Sequence, residues 1–133
     1  VTFESIVLIN NGNGTFEHKM LPIQAQLAPI MSIISKDLND DGKVDLIIAG
    51  NMFDAEVETP RYDAGDGLIL FGDGTGNFKP LTIRQSGFYA PHNVKSIAYL
   101  RRKGQKGDLI LVGNNNREMQ AFSFKNMSEI GMK

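Results

Sequence analysis

The chain has 133 residues, 41% hydrophobic and 22% charged, with a formal net charge of −1. That size and apolar content suffice for one domain with a fair core, and the near-neutral charge offers no electrostatic basis for binding nucleic acid or an anionic membrane surface. With no cysteine there are no disulfides and no thiolate metal site, and no apolar run approaches the 18 residues of a membrane span.

The chain starts on Val1 rather than Met, shows no signal peptide and enters strand-like residues almost at once. It reads as a piece of a longer protein. Ile6-Val7-Leu8-Ile9 leads into Asn11-Gly12-Asn13-Gly14, the chemistry of a tight turn, and Phe16 restarts an extended segment, so strands are predicted at 6–10 and 16–21. Ser32-Ile33-Ile34-Ser35 and Leu46-Ile47-Ile48-Ala49 are short, β-branched and bounded by turn formers. Those features predict strands at 31–36 and 46–51.

Between these two strands lies Asp37-Leu38-Asn39-Asp40-Asp41-Gly42-Lys43-Val44-Asp45. Its first, third, fifth and ninth positions carry side-chain oxygens and its sixth is glycine, the pattern of a wrapped cage for a hard cation, above all Ca²⁺. Alternate residues of a tight loop converge on one point, so Asp37, Asn39 and Asp41 are the expected side-chain ligands, with Asp40 facing solvent. Gly42 lets the chain reverse through a conformation that a Cβ resists. Lys43 then offers its backbone carbonyl, and Asp45 closes the cage at the start of the next strand. These five ligands leave water to complete six or seven around one structural ion. A solvated turn accounts for the composition, but not for three carboxylates about one point, which repel one another without a cation. The position at which a helix–loop–helix calcium site, or the paired-helix calcium module of cellulosomal enzymes, needs an acid is Ile48. The site is therefore of strand–loop–strand type.

The following residues repeat what came before. Asn11-Gly12-Asn13-Gly14-Thr15-Phe16 returns 62 residues later as Asp73-Gly74-Thr75-Gly76-Asn77-Phe78, and Asp45-Leu46-Ile47-Ile48-Ala49-Gly50-Asn51 returns 63 residues later as Asp108-Leu109-Ile110-Leu111-Val112-Gly113-Asn114. Two motifs in the same order at nearly one offset indicate a tandem β repeat of about sixty residues. Strands are accordingly predicted at 67–72, 78–83, 94–99, 109–114 and 119–124, with a polar insertion at 52–66 and no convincing amphipathic helix. Four-stranded units in tandem point to an all-β fold of antiparallel β-propeller blades, here a partial, open propeller. Its parts are the outer hairpin of an incomplete blade (1–26), a complete blade with the calcium loop (27–93), and the start of a further blade with a tail (94–133). Two blades cannot close a ring, so exposed strand edges are expected, to be covered by further blades or another copy.

A shift of 63 carries Asp37 to Leu100, Asn39 to Arg102, Asp41 to Gly104, Gly42 to Gln105 and Lys43 to Lys106, while Asp45 meets Asp108. The second loop keeps one acid among basic residues, so it should fold without metal, Asp108 accepting hydrogen bonds from its own loop.

The Asp-x-Asn-x-Asp-Gly-x-x-Asp-Leu loop, with the later Leu-Phe-Gly-Asp-Gly-x-Gly-x-Phe, resembles the FG-GAP/VCBS repeats that build the β-propellers of integrin α subunits and of many secreted or surface bacterial proteins. Residues 54–100, with Glu56, Glu58, Pro60, Arg61 and Gln85-Ser86-Gly87-Phe88, also resemble the C-terminal end of bacterial repeat proteins related to cartilage acidic protein. The resemblance implies an extracytoplasmic, calcium-stabilised propeller of about seven blades, used for binding or adhesion to protein or glycan. It places the metal role on Asp37, Asn39, Asp41, Lys43 and Asp45.

Other candidates are weaker. His18 and His92 are the only histidines, and neither sits in a nucleophile or zinc constellation. Glu56, Glu58, Asp63 and Asp66 could gather as a second acidic pocket or, with the 88–93 loop, as the rim of a polysaccharide-active enzyme lobe, the alternative to a non-catalytic module. Asn114-Asn115-Asn116-Arg117 reads as a turn or a polar rim. Asn13-Gly14-Thr15 and Asn126-Met127-Ser128 fit the N-glycosylation pattern. A purely architectural segment without its own ligand is the third reading.

Overall fold

A computed structural model describes residues 3–53, 62–102, 107–124 and 127. Nine strands run in chain order: β1 (Ile6–Asn10), β2 (Phe16–Met20), β3 (Ser32–Lys36), β4 (Asp45–Ala49), β5 (Leu68–Gly72), β6 (Phe78–Pro80), β7 (Val94–Leu100), β8 (Asp108–Asn114) and β9 (Gln120–Phe124). They form three antiparallel sheets, β1-β2, β3-β4-β5-β6 and β7-β8-β9, none of them closed.

The four-stranded sheet lies between the other two. Along β4, Ile47 and Ala49 join a cluster with Ile69, Val94, Ile97, Ile110, Val112 and Phe88, whereas Ile48 joins Leu70, Leu21 and Ala25, with Val7 and Leu46 packed beside them. Successive strand side chains point to opposite faces, so a strand apolar at every position, as β4 is after Asp45, suits a sheet covered on both sides. Phe88 stacks edge-on against Phe122, ring centroids 5.0 Å apart, and is itself buried.

The strands fall where alternation and turn residues place them, to within two residues, with one exception. The segment 78–83 stays extended only to Pro80, and Ile83–Ser86 form one turn of helix, α1. Thr82 caps it reciprocally: Thr82 Oγ1 accepts from the Gln85 amide at 3.3 Å, and Gln85 Oε1 accepts from the Thr82 amide at 2.9 Å. Local capping outweighs a weak edge-strand preference here. A second short turn, of 3₁₀ type, spans Ile23–Gln26. Of the 52–66 insertion the described part forms a single antiparallel bridge, Met52 to Tyr62.

Candidate functional site

The 37–45 loop leaves the four-stranded sheet at the Lys36–Asp45 pair. Its backbone turns left-handed twice, at Asp40 (φ 59°) and Gly42 (φ 80°). Glycine meets that requirement at no cost, and aspartate is among the few other residues that tolerate it. Asp40 is exposed, as its phase in the loop predicts.

The loop's oxygens are turned inward onto its own amides. Asp37 accepts from the Asp41 amide at 3.2 Å and, through its other oxygen, from Gly42 at 2.8 Å. Asn39 Oδ1 also accepts from Asp41, at 3.2 Å, and Asp41 Oδ1 accepts from the Lys43 amide at 2.9 Å. That last bond chiefly holds the Asp41 carboxyl below its ordinary range. The Lys43 ammonium lies 3.7 Å from Asp41.

Asp45 differs from the rest. It is fully buried, and its two oxygens accept from the Leu38 amide at 2.8 Å and from the Gly72 amide of β5 at 2.9 Å. Burial pushes its carboxyl above the ordinary aspartate range; the two amides oppose the shift, and the charges of Asp41 and Asp37 reinforce it. One residue thus ties the loop to the neighbouring strand. The sequence signal for its partner, Gly72, was the Phe-Gly-Asp-Gly of the hairpin motif, whose reach to this loop chain order conceals. A Cβ at Gly72 would collide with the Val44 carbonyl, so only glycine brings this amide to Asp45.

Among the described residues no three His, Cys, Asp or Glu side chains stand gathered as a metal cluster. The donor set is nevertheless compatible with a hard cation. Each bonded carboxylate oxygen has a second lone pair, Asn39 and the Lys43 carbonyl add neutral oxygens, and a cation would relieve the repulsion that Asp37 and Asp41 exert on Asp45.

The second loop is built otherwise. The Tyr99 hydroxyl donates to Asp108, whose other oxygen accepts from the Arg102 amide at 3.3 Å. The tyrosine bond chiefly holds the Asp108 carboxyl below its ordinary range, and burial with this bond pushes the Tyr99 phenol up to about 12. The Arg102 side chain donates to the Gly107 carbonyl at 2.8 Å and to Ser123 Oγ at 2.9 Å. The uniform shift of 63 needs one adjustment. The acid-bonded amide lies seven residues before Asp45 but six before Asp108, so Arg101, not Leu100, precedes it as Asp37 does in the first loop. Leu100 is the last residue of β7, paired with Leu109. A cleft of about 300 Å³ separates the two loops, with Asp37 and Asp40 on one side and Tyr99, Arg101 and Asp108 on the other. Lys36 reaches across it, its ammonium 4.7 Å from the Tyr99 ring centre.

The two hairpin turns share one geometry. Asn11 N donates to Thr15 O, and Asp73 N to Asn77 O, both at 3.1 Å. Lys19 Nζ, on β2, donates to the Thr75 carbonyl at 2.8 Å, joining one hairpin to the other. Asp73 accepts from Thr75 and Asn77, and these bonds, the Asn77 side chain foremost, hold its carboxyl well below the usual range.

Asn51 was missed as a site residue, although the repeated Gly-Asn that follows β4 and closes β8 marks it. It is fully buried and latches two loop segments, donating to Gly65 O at 2.7 Å and to Pro91 O and His92 O at 3.1 Å, and accepting from Gly65 N at 2.9 Å. Asp63 and Asp66 are exposed, as is His18. Glu56, Glu58 and Asn126 lie outside the described residues. Asn114 donates to the Glu118 carbonyl at 2.8 Å, and Asn116 turns left-handed (φ 54°), so this run builds a turn. No helix among the described residues is long and apolar enough to cross a membrane. No protein-family profile, curated protein or solved structure matches the chain.

Proposed function

We propose that the chain is a non-catalytic, calcium-stabilised binding module of FG-GAP/VCBS type, part of a β-propeller on a secreted or surface protein. The observation that carries this reading is Asp45: a fully buried carboxylate, raised by burial, onto which two further loop carboxylates press. Buried charge is retained at such cost where it is paired or coordinates a metal. Asp37, Asn39, Asp41, the Lys43 carbonyl and Asp45 would hold one Ca²⁺, which would neutralise the three carboxylates. Asp45 orients the site through Leu38 and Gly72, and Gly42 and Asp40 set the curvature that brings the oxygens together. The role is structural, fastening the β3–β4 connection to the end of β5.

Three stacked antiparallel sheets, the middle one covered on both faces, support a blade-like arrangement. The outer sheets, of two and three strands, leave room for strands and blades of a longer parent chain, with extracellular protein or glycan as the partner of the assembled surface. Extracellular modules bind calcium at roughly 10⁻⁴–10⁻³ M, which suits permanent filling outside cells. Isothermal titration with Ca²⁺ is expected to give one equivalent, lost in Asp37→Ala; a flat titration of the wild-type chain sinks the proposal.

A further inference from the structure

At the end of the four-stranded sheet opposite the 37–45 loop lies a cavity of about 230 Å³, lined by the close of β4, the start of β5, the residues following β6 and the 24–30 segment. Its lining is mixed, with Gln24 among the polar residues, but Ile48 and Leu81 supply a hydrocarbon wall and are almost wholly buried. Two apolar residues of the lining are open to water, Leu27 56% and Ile83 43% exposed. Asp66 carries the only charged side chain among the described residues that line it. The hydroxyls beside it are engaged elsewhere, Thr82 in the cap of α1 and Ser86 in accepting from the Phe88 amide at 3.2 Å.

We propose that this cavity binds an aliphatic cation, a primary ammonium on an unbranched alkyl stem. The ammonium pairs with the Asp66 carboxylate, and the stem covers Leu27 and Ile83 on its way to Ile48. Each part of the ligand answers a part of the site. An alkyl stem covers the exposed lip and takes its own CH₂ groups out of water. A neutral stem forgoes the pairing with Asp66, and an anionic one meets a like charge there, with no cation to offset it among the described lining residues. The position, away from the 37–45 loop, makes this site independent of the calcium reading.

The test follows amide shifts by two-dimensional NMR of the whole chain in calcium, with butylammonium, butanol and butyrate as probes. Butylammonium should move the amides of Ala49, Gly50, Gly67 and Ile83 saturably, at least tenfold more tightly than butanol, and butyrate should move none. Asp66→Asn, at an exposed position, should reduce butylammonium to the level of butanol without lowering the melting temperature. Ile83→Lys, which sets a competing ammonium at the lip, should abolish binding. Titrations with 1,5-diaminopentane and with Nα-acetyl-lysine amide then decide between a free amine and a protein lysine as the source. Equal binding of butanol and butylammonium to the wild-type chain, or a preference that survives Asp66→Asn, overturns the proposal.

Discussion

The 37–45 and 100–108 loops end on matching acids, Asp45 and Asp108, each opening a strand of similar sequence. They satisfy those acids by different means. Asp45 is sealed inside, held by two backbone amides, with acidic neighbours crowding it. Asp108 is only partly buried, bonded to a phenol and an amide, with Arg101 and Lys36 nearby as positive charge. One loop has collected more negative charge than its own lysine can balance, and the other carries its cations in its sequence. Under the calcium proposal, one β-connection is closed by borrowed charge and the other by built-in charge, and only the first should respond to its solvent.

The comparison breaks most sharply at Asp45. Asp45→Ala leaves the Leu38 and Gly72 amides without their acceptor, and a buried donor so orphaned costs about 1–3 kcal/mol. We expect a loss near 3 kcal/mol in urea unfolding, against a visibly smaller midpoint shift for Asp108→Ala. Equal losses would mean that the two loops are not different in kind. Next in size is calcium itself. At free Ca²⁺ a hundred times the dissociation constant, binding stabilises by about 2.7 kcal/mol, which for a chain of this size raises the melting temperature by about 8 °C. A chelator should remove that increment from wild type and from Asp108→Ala alike, while Asp41→Ala should melt at one temperature with or without it.

Gly72→Ala probes the link between loop and neighbouring strand. The added methyl meets the Val44 carbonyl, and overpacking of this kind costs about 1–3 kcal/mol. Calcium affinity should fall with stability, since the Gly72 amide positions Asp45; unaltered affinity would detach the strand from the site. The smallest effect belongs to the second loop. Tyr99 should ionise with a midpoint near 12, moving towards 10 in Asp108→Asn, read from the ultraviolet absorbance of tyrosinate. The sign follows from linkage: the folded chain keeps the phenol proton longer than the unfolded one, so this contribution is whole below pH 10 and is lost as pH rises through 12. Asp108, whose folded value is lowered, contributes above its ordinary range and loses that contribution on acidification.

Much of the strand order was legible because it rests on local signals. Alternation, β-branching and Asn/Asp-Gly turns lie within a few residues of what they specify, and nine strands emerged nearly in place. The helical turn at Ile83–Ser86 escaped because its cap is a two-residue device inside a short apolar segment. Asp37, Asn39 and Asp41 were legible for the same local reason, as a loop of nine residues contains its own geometry. Gly72 and Asn51 were not, because their partners lie 27 residues away in one case and up to 41 in the other.

Sequence by itself determined an all-β chain, its turns, the acids of the 37–45 loop and the loss of that set at 100–108. Tertiary structure decided which sheet is covered on both faces, that Asp45 is the sealed acid and Asp108 the open one, and that Arg101 takes the place a uniform shift assigns to Leu100. The reason is physical. Strand and turn preferences are carried by neighbouring residues, whereas burial, the approach of Gly72 to Asp45 and the length of a loop between paired strands exist only once distant segments pack.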